Sequence, residues 1–357
     1  MENRPLPRPD AAAYDAARAR QNQLTKPPGS LGVLEDIACR FAAWQGRVKP
    51  DAPNPAITVF AADHGVAADG VSAFPQAVTA EMVKNFAAGG AAICVLARAN
   101  GARLEVVDAG IAHPLDPALP IVHARVAAGS ANLAREAALS EAQLDAALEV
   151  GAAAARRAVE VGAAAARRAV EAGANLLVAG DMGIGNTTPS AALICAFTGH
   201  DIDAVVGRGT GVDDAGLARK RDAVARGLAR VAGRALTPRQ TLAELGGLEI
   251  AAIAGFYLEG ARRGVPSLVD GFIATAAALA ACRIEPLLAD WLLASHVSQE
   301  TGHALAVRAL GLSPLIDLRL RLGEGSGAAL CLPLIAQAIA LHNEMATFLE
   351  AGVSDAL

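Results

Sequence analysis

Residues 321–327 read RLGEGSG, which sets a single carboxylate, Glu324, among three glycines. Glycine lets a backbone turn sharply and come close to a ligand, so a carboxylate held there is placed for proton transfer. Leu318, Leu320 and Leu322 precede it and the apolar residues 328–333 follow. The loop is therefore expected at the mouth of a core element, where surroundings tune a carboxyl pKa. The same pattern also suits an ordinary tight turn with one solvated Glu, so companion motifs must decide.

Residues 180–190 read GDMGIGNTTPS, after an apolar strand signal at 176–179 and before a helical run at 191–197. Gly183 and Gly185 free the backbone. Asn186, Thr187 and Thr188 offer cap side chains and donors at a helix N-terminus, a setting that favours a phosphate. The spacing is neither G-x-G-x-x-G nor a Walker loop, so dinucleotide and NTP readings lose support. A second loop, Gly207-Arg208-Gly209-Thr210-Gly211, leads towards Lys220 and could add a cation. Each loop alone could be a glycine hairpin without a ligand; three together point to a shared site.

His64 in ADHG, and His296 and His303 in SHVSQETGH, come without H-E-x-x-H or Cys/His spacing, so structural or substrate-orienting roles are expected rather than metal ligation. His296 and His303 are seven apart and would share a face on a helix.

The elements that would position these groups follow from short apolar runs ending in a glycine or a polar residue. Residues 57–62 run into Asp63-His64-Gly65, 104–107 into Asp108-Ala109-Gly110, and 176–179 into Gly180-Asp181. Residues 204–206 run into Gly207 and 267–269 into Asp270-Gly271. Alanine-rich helical stretches such as 77–99 and 217–232 lie between them. Alternating strand and helix signals imply an α/β fold, a Rossmann-like, mostly parallel sheet covered by helices. In such sheets ligands bind beyond the carboxyl ends of the strands, where all these polar clusters fall. Both chain ends read as helix, at 11–21, 31–44 and 328–352, with a break expected near Pro333. The expected organisation is a small helical subdomain from 1–50 plus 328–357, and a large α/β nucleotide- and base-binding domain over 51–327.

At 357 residues the chain can bury a sizeable core. Its net charge is -5 with 19% charged residues, and it has no basic run apart from paired arginines, which argues against a nucleic-acid partner. The apolar runs are read as too short for a membrane span. MENRPLPRPD lacks the apolar core of a secretory signal, so a cytoplasmic protein is expected. Cys39, Cys94, Cys195, Cys282 and Cys331 form no C-x-x-C pair and are read as reduced packing residues.

One stretch repeats: residues 151–161 (GAAAARRAVEV) recur as 162–172 (GAAAARRAVEA). At 3.6 residues per turn an eleven-residue period slips by only about 20°. The copy can therefore lengthen a helix without turning its apolar face, with Arg156, Arg157, Arg167 and Arg168 forming a solvated basic edge.

Eight motifs occur in the order of one known family: LTKPPGSLGVLE (24–35), ADHGV (62–66), GVSAFPQAVT (70–79), GDMGIGNTT (180–188), FTG (197–199), LVDGF (268–272), SHVSQETGH (295–303) and RLGEGSGAA (321–329). Over residues 10–345 the chain resembles the nicotinate-nucleotide:dimethylbenzimidazole phosphoribosyltransferases of cobalamin lower-ligand assembly. The resemblance implies transfer of phosphoribose from nicotinate mononucleotide to 5,6-dimethylbenzimidazole, giving α-ribazole 5'-phosphate and nicotinate. It also implies a homodimer, no metal and no other cofactor. Carried over by motif, Glu324 matches the general base, and Phe74, Met82 and Leu322 match the benzimidazole pocket. Gly183, Gly185, Asn186, Gly207, Lys220, Asp270 and Ser298 match positions around the ribose phosphate.

The chain departs from the family at two places. Asp181 stands where the family usually has Glu, one methylene longer. The second copy of the repeat lies just upstream of the same loop and would displace it unless taken up as a longer helix or a bulged loop. In the implied reaction, nicotinate leaves from an already cationic ring nitrogen and needs no acid, whereas the attacking benzimidazole must shed one proton. A single base suffices, and an ionised Glu supplies it. Asp181 could steady an oxocarbenium-like sugar electrostatically. Two other readings fit the loops: a transferase using another base or a phosphoribosyl pyrophosphate donor, with Asp213-Asp214 as its acidic pair, and a non-catalytic nucleotide-binding sensor.

Overall fold

The structure, a computed structural model, describes residues 5–165 and 173–354. Seven strands form one parallel sheet: β1 Pro55–Ala62, β2 Arg103–Gly110, β3 Val122–His123, β4 Leu176–Met182, β5 Ser267–Val269, β6 Leu292–Ser298 and β7 Pro314–Leu320. Their order is β3-β2-β1-β4-β5-β6-β7. Every residue of β1 and all of β4 except Met182 are buried, as expected where helices cover both faces of a parallel sheet. The chain works outward from β1 to β3 and then returns to lay β4 on β1's other edge. That reversal is the switch point at which such sheets open a crevice beyond the strand ends.

Four strands coincide with the apolar runs, and the fifth run does not. Residues 204–206 belong largely to a short helix, Ile202–Val205, which packs on the helices Thr187–Thr198 and Asp214–Val231 rather than joining the sheet. His296 lies on β6 and His303 begins the helix His303–Ala309, so the pair shares no helix face. Their rings nevertheless stack, with centroids 6.1 Å apart.

Residues from both chain ends meet. Arg20 donates to the carbonyls of His342, Asn343 and Met345, Thr25 N–H donates to Ala346 O, and the helices Ala11–Gln21 and Ser326–Glu344 both pack on Val33–Gln45. The helix Ser326–Glu344 runs through Pro333 without the expected break. Proline removes the N–H that would bond Ala329 O, and Asn100 Nδ2 donates to that carbonyl instead, at 3.2 Å.

Residues 77–99 and Ser326–Glu344 are long and apolar enough to cross a membrane by length and composition, contrary to the reading from sequence. The first is divided at Gly89-Gly90 into helices Ala77–Ala87 and Ala92–Ala99. The second packs on β6 and buries Cys331, Leu332 and Ile335.

The described residues on either side of the repeat's end keep regular structure, helix before it and strand after it. The helix Glu141–Ala165 extends into the second copy, and Ala174 N–H returns to Ala158 O at 3.2 Å. β4 then pairs with β1 in unbroken register from Pro55 with Leu176 to Ala61 with Met182. Arg156 and Arg157 are ion-paired rather than merely solvated: Arg156 meets Glu149 and buried Glu259, and Arg157 binds Glu105 through two nitrogens. Arg167 and Arg168 lie outside the described residues.

Candidate active site

At the carboxyl ends of β4, β5, β6 and β7 lies a cavity of about 360 Å³, within the range of small-molecule sites. A more open hollow of about 660 Å³ lies between the N-terminal helices and the start of β6, lined by Arg8, Arg40, Trp44 and Asp290 among others. Size does not decide between them; buried acid chemistry does, and it lies in the smaller one.

Glu324 lines that cavity and is 5% exposed. Its φ is +64°, with Gly323 at +87° and Gly325 at +86° on either side. Three successive left-handed residues form a backbone that a non-glycine side chain adopts at a cost, a strain that clusters at functional sites. The surroundings enforce it. Asp270, at the end of β5, accepts the N–H groups of Gly325 (3.1 Å) and Ala328 (2.8 Å), fixing both the loop and the start of the helix behind it. On β4, a Cβ at Gly180 would lie 2.1 Å from Glu324 O, so only glycine allows the two backbones to meet.

The carboxylate of Glu324 keeps one oxygen, Oε2, without a hydrogen-bond partner. Burial pushes its pKa up, the Ile93 N–H acts downward, and the charge of Asp270 adds to the rise. Asp181 is its neighbour across the cavity. Its Oδ2 accepts Asn186 Nδ2 at 2.9 Å while Oδ1 has no partner. Burial and the charge of Asp270, against the Asn186 bond, push the Asp181 carboxyl up to about 8. At neutral pH it is therefore mostly protonated, a departure from the anionic role expected of it. Asn186 likewise gives its side chain to Asp181 and makes no helix cap.

Of the residues expected from sequence, Glu324, Asp181, Phe74, Met82, Leu322, Gly183, Asn186 and Ser298 line the cavity. Gly185, Gly207, Lys220 and Asp270 stand one layer behind. Lys220, 1% exposed, donates to Thr187 Oγ1 at 2.8 Å, and burial lowers its ammonium to about 8. A Cβ at Gly207 would sit 2.7 Å from Glu300 Oε2, a cavity-lining group, and Gly185 (φ +89°) backs onto Ala67 and Val71. Asp270 has both oxygens committed to backbone N–H groups and touches the site through Glu324's loop.

Glu300 and Arg321 line the cavity without having been singled out from sequence. Both sit inside recognised motifs, SHVSQETGH and RLGEGSG, so proximity to a motif was the available signal. His296 also lines the cavity. Its neighbour His303 accepts the Ser298 N–H through Nδ1 (3.1 Å) and meets Thr275 Oγ1 through Nε2 (3.2 Å). Burial and His296 depress His303 to about 4, so it is neutral and holds Ser298 in place. His64 is bonded to buried Glu249 at 2.7 Å beneath the Gly183 loop.

A parallel sheet with glycine loops and two buried carboxyl groups in a cavity at its strands' carboxyl ends has the form of an α/β enzyme. The sequence profile of a phosphoribosyltransferase family matches residues 6–353. The nicotinate-nucleotide–dimethylbenzimidazole phosphoribosyltransferase of Chromobacterium violaceum is 70% identical over 345 residues, covering 97% of each chain. That of Xanthomonas campestris pv. campestris (strain B100) is 52% identical over 348 residues, covering 98% of this chain and 97% of its own. The crystal structure of CobT from Thermus thermophilus superposes with a TM-score of 0.91 at 50% identity, covering 97% of this chain and all of that one. The chain is thus a phosphoribosyltransferase. It belongs to the nicotinate-nucleotide–dimethylbenzimidazole phosphoribosyltransferase family.

Proposed function

We propose that this chain transfers phosphoribose from nicotinate mononucleotide to 5,6-dimethylbenzimidazole, with Glu324 as general base. The observation that carries the assignment is the unpartnered Oε2 of a buried, conformationally strained Glu324 in a cavity with an apolar wall (Phe74, Met82, Leu322) and a wall from the glycine loop that bears Asp181, Gly183 and Asn186. One benzimidazole nitrogen attacks the anomeric carbon, and the bond to the pyridinium nitrogen breaks with its electron pair passing to nicotinate. The proton on the other benzimidazole nitrogen goes to Glu324, which must lie within about 3 Å of it. Attack opposite the leaving group inverts the centre and gives the α-nucleotide.

The ribose phosphate fits beside residues 183–187, where a helix N-terminus and Lys220 favour an anion. Mostly protonated Asp181 can hydrogen-bond the sugar, and the pyridinium cation of the donor would draw it back towards its ionised form. Glu324→Gln keeps the shape but cannot take the proton. Turnover should fall about 10²- to 10⁴-fold while calorimetry shows unchanged nicotinate mononucleotide binding; turnover near wild type removes Glu324 from the role.

The sensor reading drew on the repeat and on Asp181, and the unbroken β4 register speaks against the first of these. A phosphoribosyl pyrophosphate donor would release pyrophosphate and no nicotinate, so nicotinate release from nicotinate mononucleotide without added magnesium separates the donors. We also propose a cytoplasmic homodimer. Five free cysteines fit a reducing compartment, and the exposed edge strand β7 with Leu318 fits a subunit contact.

A further inference from the structure

Phe74 lines the cavity yet is 52% exposed, so core packing does not fix its ring. The segment carrying it crosses the cavity mouth between β1 and the helix Ala77–Ala87. Its beginning is firmly tied: Asp69 accepts Asn132, Arg135 and Arg226, and Gly70 O accepts Arg219 Nε at 2.9 Å. Beyond buried Val71 the anchoring changes character. Ala73 N–H donates to Thr210 Oγ1 at 3.1 Å, Ser72 Oγ lies 3.2 Å from the same oxygen, and Phe74 N–H donates back to Ser72 Oγ at 3.2 Å. Two hydroxyls thus set the backbone of Phe74, and one of them comes from the Gly207–Gly211 loop.

That loop also touches the phosphate side. A Cβ at Gly209 would lie 2.6 Å from Lys220 Nζ and 2.8 Å from Thr187 Oγ1, so Gly209 lies against both groups. Adjacent residues of one loop therefore reach the two halves of the site: Gly209 meets the groups around the ribose phosphate, and Thr210 holds the strap that carries the base wall.

We infer that Thr210 is a positioning residue coupling the two substrates: a ribose phosphate bound against the Gly207–Gly211 loop fixes Thr210, which fixes Phe74 and raises affinity for the incoming base. The inference rests on the transfer reading above for the identity of the substrates. Coupling between sites is a difference in affinity, which binding alone can measure.

The test compares Thr210→Val, which keeps the shape and removes the acceptor, with Thr210→Ser, which keeps the hydroxyl. Dimethylbenzimidazole affinity is measured by calorimetry with and without saturating ribose 5-phosphate, which carries no leaving group. Wild type and Thr210→Ser should bind the base about fivefold more tightly in its presence, the worth of one net hydrogen bond. Thr210→Val should show no gain while binding ribose 5-phosphate as wild type does, and in turnover its KM for the base should rise about fivefold with kcat within about twofold. The inference is overturned if wild type shows no gain, if Thr210→Val keeps it, or if Thr210→Ser loses it as fully as Val. A wild-type protein that shows the gain but releases no nicotinate supports the coupling and overturns the transfer reading instead.

Discussion

The cavity wall that bears the carboxyl groups is buried and bonded several times over, whereas the wall that bears Phe74 is exposed and hung on surface hydroxyls. Glu324, Asp181 and Asp270 are each no more than 7% exposed, and Asp270 alone accepts two N–H groups of the catalytic loop. Phe74 is half exposed, and its segment is joined to its surroundings by bonds to exposed Thr210. Proton transfer needs placement to within a fraction of an ångström, and burial with redundant bonding provides it. Accommodating an apolar base needs area and tolerance, which a loosely held aromatic wall supplies.

The contrast is broken most severely at Asp270. Asp270→Asn retains one acceptor but turns an amide N–H towards a backbone N–H, leaving a buried donor unsatisfied at about 1–3 kcal/mol. The loop of Glu324 then loses its clamp, and a shift of about 1 Å there should lower kcat about a hundredfold as well as the melting temperature. Steady-state kinetics and thermal denaturation read both, and a kcat within twofold of wild type would show that the loop holds itself.

Asp181 gives a smaller effect with a definite pH signature. Its folded pKa of about 8 lies above the ordinary 3.8, so between those values the folded chain holds a proton that the unfolded chain has released. Stability contributed by this group is complete below about pH 4 and is lost as pH rises towards 8. Asp181→Asn cannot titrate, so its melting temperature relative to wild type should climb steadily across that window. A constant offset from pH 4 to pH 8 would mean that Asp181 is ionised throughout.

The smallest change is expected on the exposed wall. Phe74→Leu removes part of a ring that is already half in water, so KM for dimethylbenzimidazole should rise roughly threefold at unchanged kcat. A fall in kcat instead would show that Phe74 orients the base for attack, and the distinction between the two walls would narrow.

Much of the fold was legible because local pattern and burial agree in its centre. β1, β2, β4 and β5 are apolar runs ending in a glycine or a polar residue, and β1 is buried along its whole length. The outer strands were not legible. β6 carries Ser295, His296 and Ser298 among its apolar residues and lacks a strand's period; β7 alternates apolar and polar residues from Ile316 to Leu320, but it is short, has no buried residue and runs straight into the glycine loop. Residues 204–206 carried a strand's composition but lie largely in a helix that packs on other helices. Pro333 read as a helix break because the donor that satisfies Ala329 O, Asn100, lies 229 residues away in sequence.

For the site, the motifs named the participants and the folded chain assigned their stations. RLGEGSG and GDMGIGNTT contained Glu324 and Asp181 as sequence, and glycines around a carboxylate already implied a close backbone approach. Sequence by itself determined the family, the alternating α/β plan and the residue types available for proton transfer. Only the tertiary structure decided that Asp270 clamps the loop rather than lining the cavity, that Lys220 stands behind Gly209, and that β4 pairs with β1 in unbroken register. The physical reason is that a carboxyl group's protonation, its free lone pairs and its strain are set by neighbours brought in from distant segments and by the water they exclude, none of which is written in local spacing.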